Sequence, residues 1–256
     1  MTYSYWNTFV DNWRNGVING WTNPDLTPVL LNDPAVPGDL SSDYIPEPWW
    51  GNDGNSQLYS VVINFNPGCG APNQRKSSAL MNGFVNYSDF VAKNSLPKTS
   101  NWHKNKRALP VLRALEDIGA INKPFGLENH LSIELAPWHT KDTANGYWKY
   151  IKENIQAVHD YSLAFAAQES KRIACKTLNS VVLLKMSGAN TMKLLKELKR
   201  INVKSNIISQ GTSEEHFVKF TLSTFPDVSF VSIWGPTDRN DFPKKKGTLE
   251  AILKQI

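Results

Sequence analysis

Leu58-Tyr59-Ser60-Val61-Val62-Ile63-Asn64-Phe65-Asn66-Pro67-Gly68-Cys69-Gly70 is the stretch on which the reading of this chain turns. Leu58–Phe65 is apolar and rich in β-branched residues, and Asn66-Pro67-Gly68 stops it, which predicts a strand running into a tight turn. Apolar residues in succession, rather than in alternation, fit a parallel strand covered on both faces. Pro67 and Gly68 force the turn at once, and Gly70 lets backbone come close to a ligand. Asn66 has two readings. It presents its amide at a pocket floor, where it holds a water or a hydroxyl, or it caps the turn through its own backbone.

Working outward, strands and helices alternate. Ala108–Ile118 reads as a helix closed by Gly119, Leu131–Leu135 as a strand stopped by Pro137, and Tyr147–Ile173 as one long helix with Ile151, Ile155, Val158 and Phe165 on one face. Ser180–Met186 is a third strand, Thr191–Ile201 a helix, and Asn206–Ser209 a short extended piece. Ser213-Glu214-Glu215 places acid where a helix dipole favours it and predicts a helix through Leu222. Ser229–Ile233 is a further strand and Thr248–Ile256 a terminal helix. Before the first strand, Tyr3–Val17 carries Trp6, Phe9, Val10, Trp13 and Val17 at helical spacing. Trp21–Asn55 is Pro- and Gly-rich but holds Leu30, Leu31, Trp49 and Trp50, which want burial. The pattern predicts one α/β domain over 1–256, three-layered α/β/α around a central, mostly parallel sheet. Segment 1–57 is a helix and irregular approach packed on that domain.

With 256 residues and 41% hydrophobic content, the chain can bury a core without disulfide or metal staples. Its two cysteines, Cys69 and Cys175, form no zinc-type spacing, and no metal or other cofactor is expected. No apolar run approaches the roughly 20 residues that span a bilayer, and the start of the chain does not read as a signal peptide. A cytoplasmic protein with no membrane partner is therefore expected. The net charge of +5 gathers in His103–Arg107, Lys193–Arg200 and Lys244–Lys246. Such runs attract polyanions, but each also reads as a solvated face. No nucleophile elbow, Walker loop or dinucleotide fingerprint is present.

Ligands of open α/β sheets bind beyond the carboxyl ends of the strands. Here that rule selects Asn64–Gly70, Glu134–Thr140, Lys185–Gly188 and Trp234–Arg239. His139, after Pro137-Trp138, has an imidazole suited to proton transfer near neutral pH, or simply bonds backbone. Glu134 sits in an apolar strand, where a carboxylate is costly unless it is paired, functional or on a solvated edge. The other four histidines read as surface residues. Cys69 reads as a small buried thiol before it reads as a nucleophile.

Val61-Val62-Ile63-Asn64-Phe65-Asn66-Pro67-Gly68 resembles the first motif of the uracil-DNA glycosylase superfamily, a strand ending G-I-N-P-G in its mismatch-specific branch. Pro46-Glu47-Pro48-Trp49-Trp50-Gly51-Asn52 and Glu134-Leu135-Ala136-Pro137-Trp138-His139-Thr140 resemble two further segments of bacterial relatives. The resemblance covers Ile45 to Thr140 by motif. It implies a four-stranded parallel sheet between helices and a nucleobase, nucleotide or nucleic-acid ligand. It also implies an N-glycosidic bond as the reacting centre. Asn66 matches the position that orients the attacking water, and Glu134 the position that reads the base edge. His139 assists, and Trp138 or Phe65 stacks on the extruded base. Asn64, Pro67, Gly68, Gly70 and Trp50 complete the implied contact set. The family's last motif, whose histidine stabilises the departing base, has no counterpart, because the final strand ends Ile233-Trp234-Gly235-Pro236-Thr237. A carboxylate at Glu134 would moreover repel the O4 of uracil. The alternative expectation is a binding module that keeps the fold without the reaction.

Overall fold

The computed structural model describes residues 3–14, 47–64, 83–95, 109–137, 146–211, 216–235, 242–243 and 247–256. Within them a seven-stranded mixed sheet carries the chain. In chain order the strands are β1 (Trp49–Gly51), β2 (Ser60–Asn64), β3 (His130–Glu134), β4 (Val181–Leu184), β5 (Ser205–Gln210), β6 (Phe217–Leu222) and β7 (Phe225–Ile233). Their order across the sheet is β1-β3-β2-β4-β7-β6-β5. The four strands expected from their apolar runs (β2, β3, β4 and β7) pair in parallel at its centre. β1 is added antiparallel on β3, and β6 and β5 antiparallel beyond β7.

Eight α-helices flank these strands among the described residues. They are α1 (Tyr3–Arg14), α2 (Tyr87–Ser95), α3 (Leu109–Asp117), α4 (Gly146–Glu153), α5 (Ile155–Ala157), α6 (Ala164–Ser170), α7 (Gly188–Arg200) and α8 (Thr248–Gln255). α7 shows why the sequence forms them. Ser187 caps it by accepting from the Asn190 backbone N–H, Leu194, Leu195 and Leu198 recur on its buried side, and Lys199 and Arg200 close it where the dipole favours cations. Its basic run is largely a solvated face: Arg200 pairs with Glu197, and Lys193 lies 5.8 Å over the Trp148 ring.

Three expectations are corrected. The segment predicted as a helix through Leu222 is β6 from Phe217 onward, while Ser213–Glu215 lie outside the described residues. Val218, Phe220 and Leu222 alternate inward with period two, and pairing to β7 across the Ser223-Thr224 turn outweighs the acidic start signal. The long helix over Tyr147–Ile173 is broken at Asn154, whose side chain donates back to the Tyr150 carbonyl at 2.9 Å. Beyond α5 the chain winds as a π-helix over Val158–Leu163 before α6 resumes. Finally, two histidines read as surface residues, His130 and His159, are buried. His130 Nδ1 meets Ser60 Oγ at 2.8 Å, and the His159 ring nitrogens meet Asp160 and Thr224.

β1 lies inside the stretch read as irregular, and both its tryptophans are buried as expected. Trp49 packs edge-on to Tyr3 of α1 and Tyr87 of α2, and Tyr3 packs edge-on to Phe165 of α6. Tyr3 also donates to Glu169 Oε2 at 3.1 Å, and the same carboxylate pairs with Arg172, whose guanidinium donates to the Gly54 carbonyl at 2.7 Å. α1 is thereby clamped to the end of α6 and to the loop after β1. Burial, and then the Glu169 carboxylate, push the Tyr3 phenol well above its ordinary value. The folded state favours the neutral phenol, so this stability is present below about pH 10 and is lost as pH rises beyond it. Tyr3→Phe should cost about 1–2 kcal/mol at pH 7 and flatten the alkaline loss. Urea unfolding between pH 7 and 11 reads both, and an unchanged alkaline slope in the variant would reject this account.

Candidate functional site

The path of the chain through the sheet marks where a ligand site belongs. From β2 the chain passes to β3 on one side, whereas from β4 it passes to β5 at the far edge on the other side and returns through β6 to β7. Adjacent strands whose connections leave in opposite directions open a crevice at their carboxyl ends. In this sheet that point lies between Asn64, which ends β2, and Lys185, which follows β4.

Register decides which side chains meet there. Asn64 is level with Glu134 in β3. Ile63 is level with Leu184, and the Lys185 backbone N–H continues the ladder to the Ile63 carbonyl at 2.9 Å. Residues level across a parallel sheet share a face, so Glu134, Asn64 and Lys185 form one row over three neighbouring strands. The row is interior: Glu134 is 0% exposed, Asn64 4% and Lys185 7%.

Glu134 is therefore not the solvated edge residue that one reading allowed. β3 is shielded on its outer side by β1, and the Glu134 backbone N–H bonds the Pro48 carbonyl at 3.0 Å. Asn64 Nδ2 donates to Ser132 Oγ at 2.5 Å. Its Oδ1 is buried with no hydrogen-bond partner among the described residues. A buried amide oxygen without a donor costs about 1–3 kcal/mol, which calls for an explanation at a site like this one.

Behind the row, the same face carries the Ser60–His130 pair and Trp50, which is level with Ser132. Trp50 donates its indole N–H to Glu47 Oε2 at 2.8 Å and packs against Phe90 at 6.0 Å. It thus belongs to the wall beside the row, not to the row itself. The opposite face is the apolar one, with Val61, Ile63, Leu131 and Ile133 buried. α7 is anchored on that side, where Thr191 Oγ1 and Ser232 Oγ lie 2.6 Å apart.

Of the residues singled out in the sequence, the structure brings Asn64 and Glu134 together and places Trp50 beside them. Phe65, Asn66, Pro67, Gly68, Gly70, Trp138 and His139 lie outside the described residues. Sequence reasoning gave no role to Glu47 or Lys185. Each is in a segment it had marked, but a lone lysine after an apolar strand reads the same whether solvated or buried, and only register puts it beside Asn64. Among the described residues no three His, Cys, Asp or Glu side chains are grouped to hold a metal ion. No described helix is long and apolar enough to cross a membrane. No family model, curated protein or solved structure matches the chain.

Proposed function

We propose that this chain binds a nucleobase-bearing ligand, a nucleotide or nucleic acid, at the carboxyl edge of its parallel core and hydrolyses its N-glycosidic bond, as the uracil-DNA glycosylase superfamily does. The observation that carries this reading is the row Glu134–Asn64–Lys185 at the switch point, with the Asn64 amide oxygen buried and without a hydrogen-bond partner among the described residues. The parallel β3-β2-β4-β7 core also agrees with the sheet that the resemblance implies.

In this mechanism Asn66, two residues past the end of β2, orients a water. As the C1′–N bond breaks, its electron pair leaves with the base, the water oxygen bonds to C1′, and the water proton ends on the base. Glu134 reads the base edge. His139 assists proton movement, and Trp138 or Phe65 stacks on the base. Uracil is a poor substrate on this reading, because a buried carboxylate repels its carbonyl oxygens.

A second reading is favoured by a specific feature. The Ser60–His130 and Asn64–Ser132 pairs are hydrogen bonds of a packed sheet face, and the motif that supplies a leaving-group histidine is missing. On this reading the chain binds a base without cleaving it. Base release should be measured on single- and double-stranded DNA containing uracil, hypoxanthine or mismatches, and on free nucleosides, with binding followed in parallel. Release on any substrate supports the hydrolase. Binding without release assigns the binding module, and neither binding nor release rejects both.

A further inference from the structure

Resting on that reading of the site, we propose that the base it takes is a 2-amino-6-oxopurine, guanine or a close analogue. The order of hydrogen-bonding groups along the row carries this. At one end stands Glu134, a carboxylate when ionised, which accepts only. In the middle stands Asn64, whose amide N–H donates to Ser132 Oγ at 2.5 Å and whose buried Oδ1 has no hydrogen-bond partner among the described residues. At the other end stands Lys185, whose ammonium donates only. The row therefore reads acceptor, acceptor, donor across β3, β2 and β4. The short side chain is central and the two long ones flank it, so the flanking heads have the reach to lean in over the amide. A carboxylate has about four lone-pair sites and an ammonium three donors, so each can take a ligand contact in addition to one within the protein.

The complement of that row is a base edge reading donor, donor, acceptor. Guanine presents it as the N2 amino group, the N1–H and the O6 carbonyl. The amino group faces Glu134, N1–H faces Asn64 Oδ1, and O6 faces Lys185. Uracil places a carbonyl oxygen against Glu134. Cytosine and adenine place a ring-nitrogen acceptor against the Asn64 oxygen. Hypoxanthine satisfies Asn64 and Lys185 but offers only C–H to the carboxylate. A buried site rejects such partners because each mismatch strands a desolvated polar group.

The test is isothermal titration of the wild-type chain with guanosine, inosine, adenosine, cytidine and uridine. Single-stranded oligonucleotides carrying each base at one position are titrated alongside. Guanosine, or the guanine oligonucleotide, should bind tightest, with inosine weaker by about 10- to 100-fold. Glu134→Leu, which removes the acceptor and is checked for native circular dichroism, should bring guanosine and inosine to within a few-fold of each other. If another base binds as tightly as guanine, or inosine equals guanosine, the guanine assignment is overturned and base binding at this edge stands. Discrimination kept in a folded Glu134→Leu would also overturn it. If no nucleoside or oligonucleotide binds, the base-binding reading falls together with it. The wild-type comparison decides even if the variant fails to fold.

Discussion

Replacing Asn66 with alanine is expected to slow base release by about 10²–10⁴-fold, the range by which positioned groups of this kind accelerate proton-transfer chemistry, while ligand affinity changes far less. The asymmetry follows from what the residue is proposed to hold. A water aimed at C1′ contributes mainly when its oxygen begins to bond to carbon, so its loss raises the barrier without loosening the bound base. Substitution in the row should act differently. On the proposed reading Glu134 and Asn64 contact the base in the ground state as well, so their variants should raise KM at least as much as they lower kcat. Steady-state kinetics on whichever substrate shows release, combined with titration of the same ligand, separates the two patterns. An Asn66→Ala variant that loses affinity and rate in equal proportion would show that Asn66 holds the ligand, not the water.

Gly51→Ala should destabilise the fold by about 3–5 kcal/mol, the largest effect expected from the loss of no existing contact. Gly51 ends β1 with φ +96°, a backbone conformation that side chains with a Cβ seldom adopt. A methyl group there would also lie 2.0 Å from the His130 carbonyl oxygen and 2.9 Å from that of Leu127. Both are backbone atoms held in place. The His130 carbonyl already accepts from the Asn52 backbone N–H at 2.8 Å, and Leu127 and His130 frame the start of β3. Relief thus requires β1 to move away from β3, which uncovers Trp49, Trp50 and the outer side of Glu134. Urea denaturation monitored by tryptophan fluorescence reads the loss directly. A cost below about 1 kcal/mol, the ordinary scale for a point substitution, would mean that β1 can shift without disturbing β3.

Much of this architecture is already written locally. Val61-Val62-Ile63 and Val181-Val182-Leu183-Leu184 are buried parallel strands because consecutive branched apolar side chains have no helical or amphipathic alternative, and Pro or Gly nearby stops each one. α7 is legible from its Ser187 cap, leucine spacing and basic end. Where the sequence misled, two local signals competed: at Ser213–Leu222 acidic residues argued for a helix start, whereas the alternation of Val218, Phe220 and Leu222 argued for a strand. The hairpin partner Phe225–Ile233 decided between them. β1 is three residues long and has no periodicity to read; it exists because β3 offers it an edge.

The candidate site divides in the same way. That a candidate site lies at the carboxyl ends of the apolar strands follows from chain order. Which side chains face it does not, because Glu134, Asn64 and Lys185 are separated by 70 and 51 residues in sequence and are joined only by strand register. A shift of one residue would turn each to the other face of the sheet. Burial is likewise a property of the assembled layers. Nothing near Glu134 or Lys185 in the chain says that β1 will close over one, or that the other will continue the β2 ladder. The four apolar core strands and their parallel sense are readable along the chain, whereas β1, β6 and the row of Glu134, Asn64 and Lys185 are settled only by strand pairing, because hydrogen-bond register between distant strands sets which polar groups share a dry face.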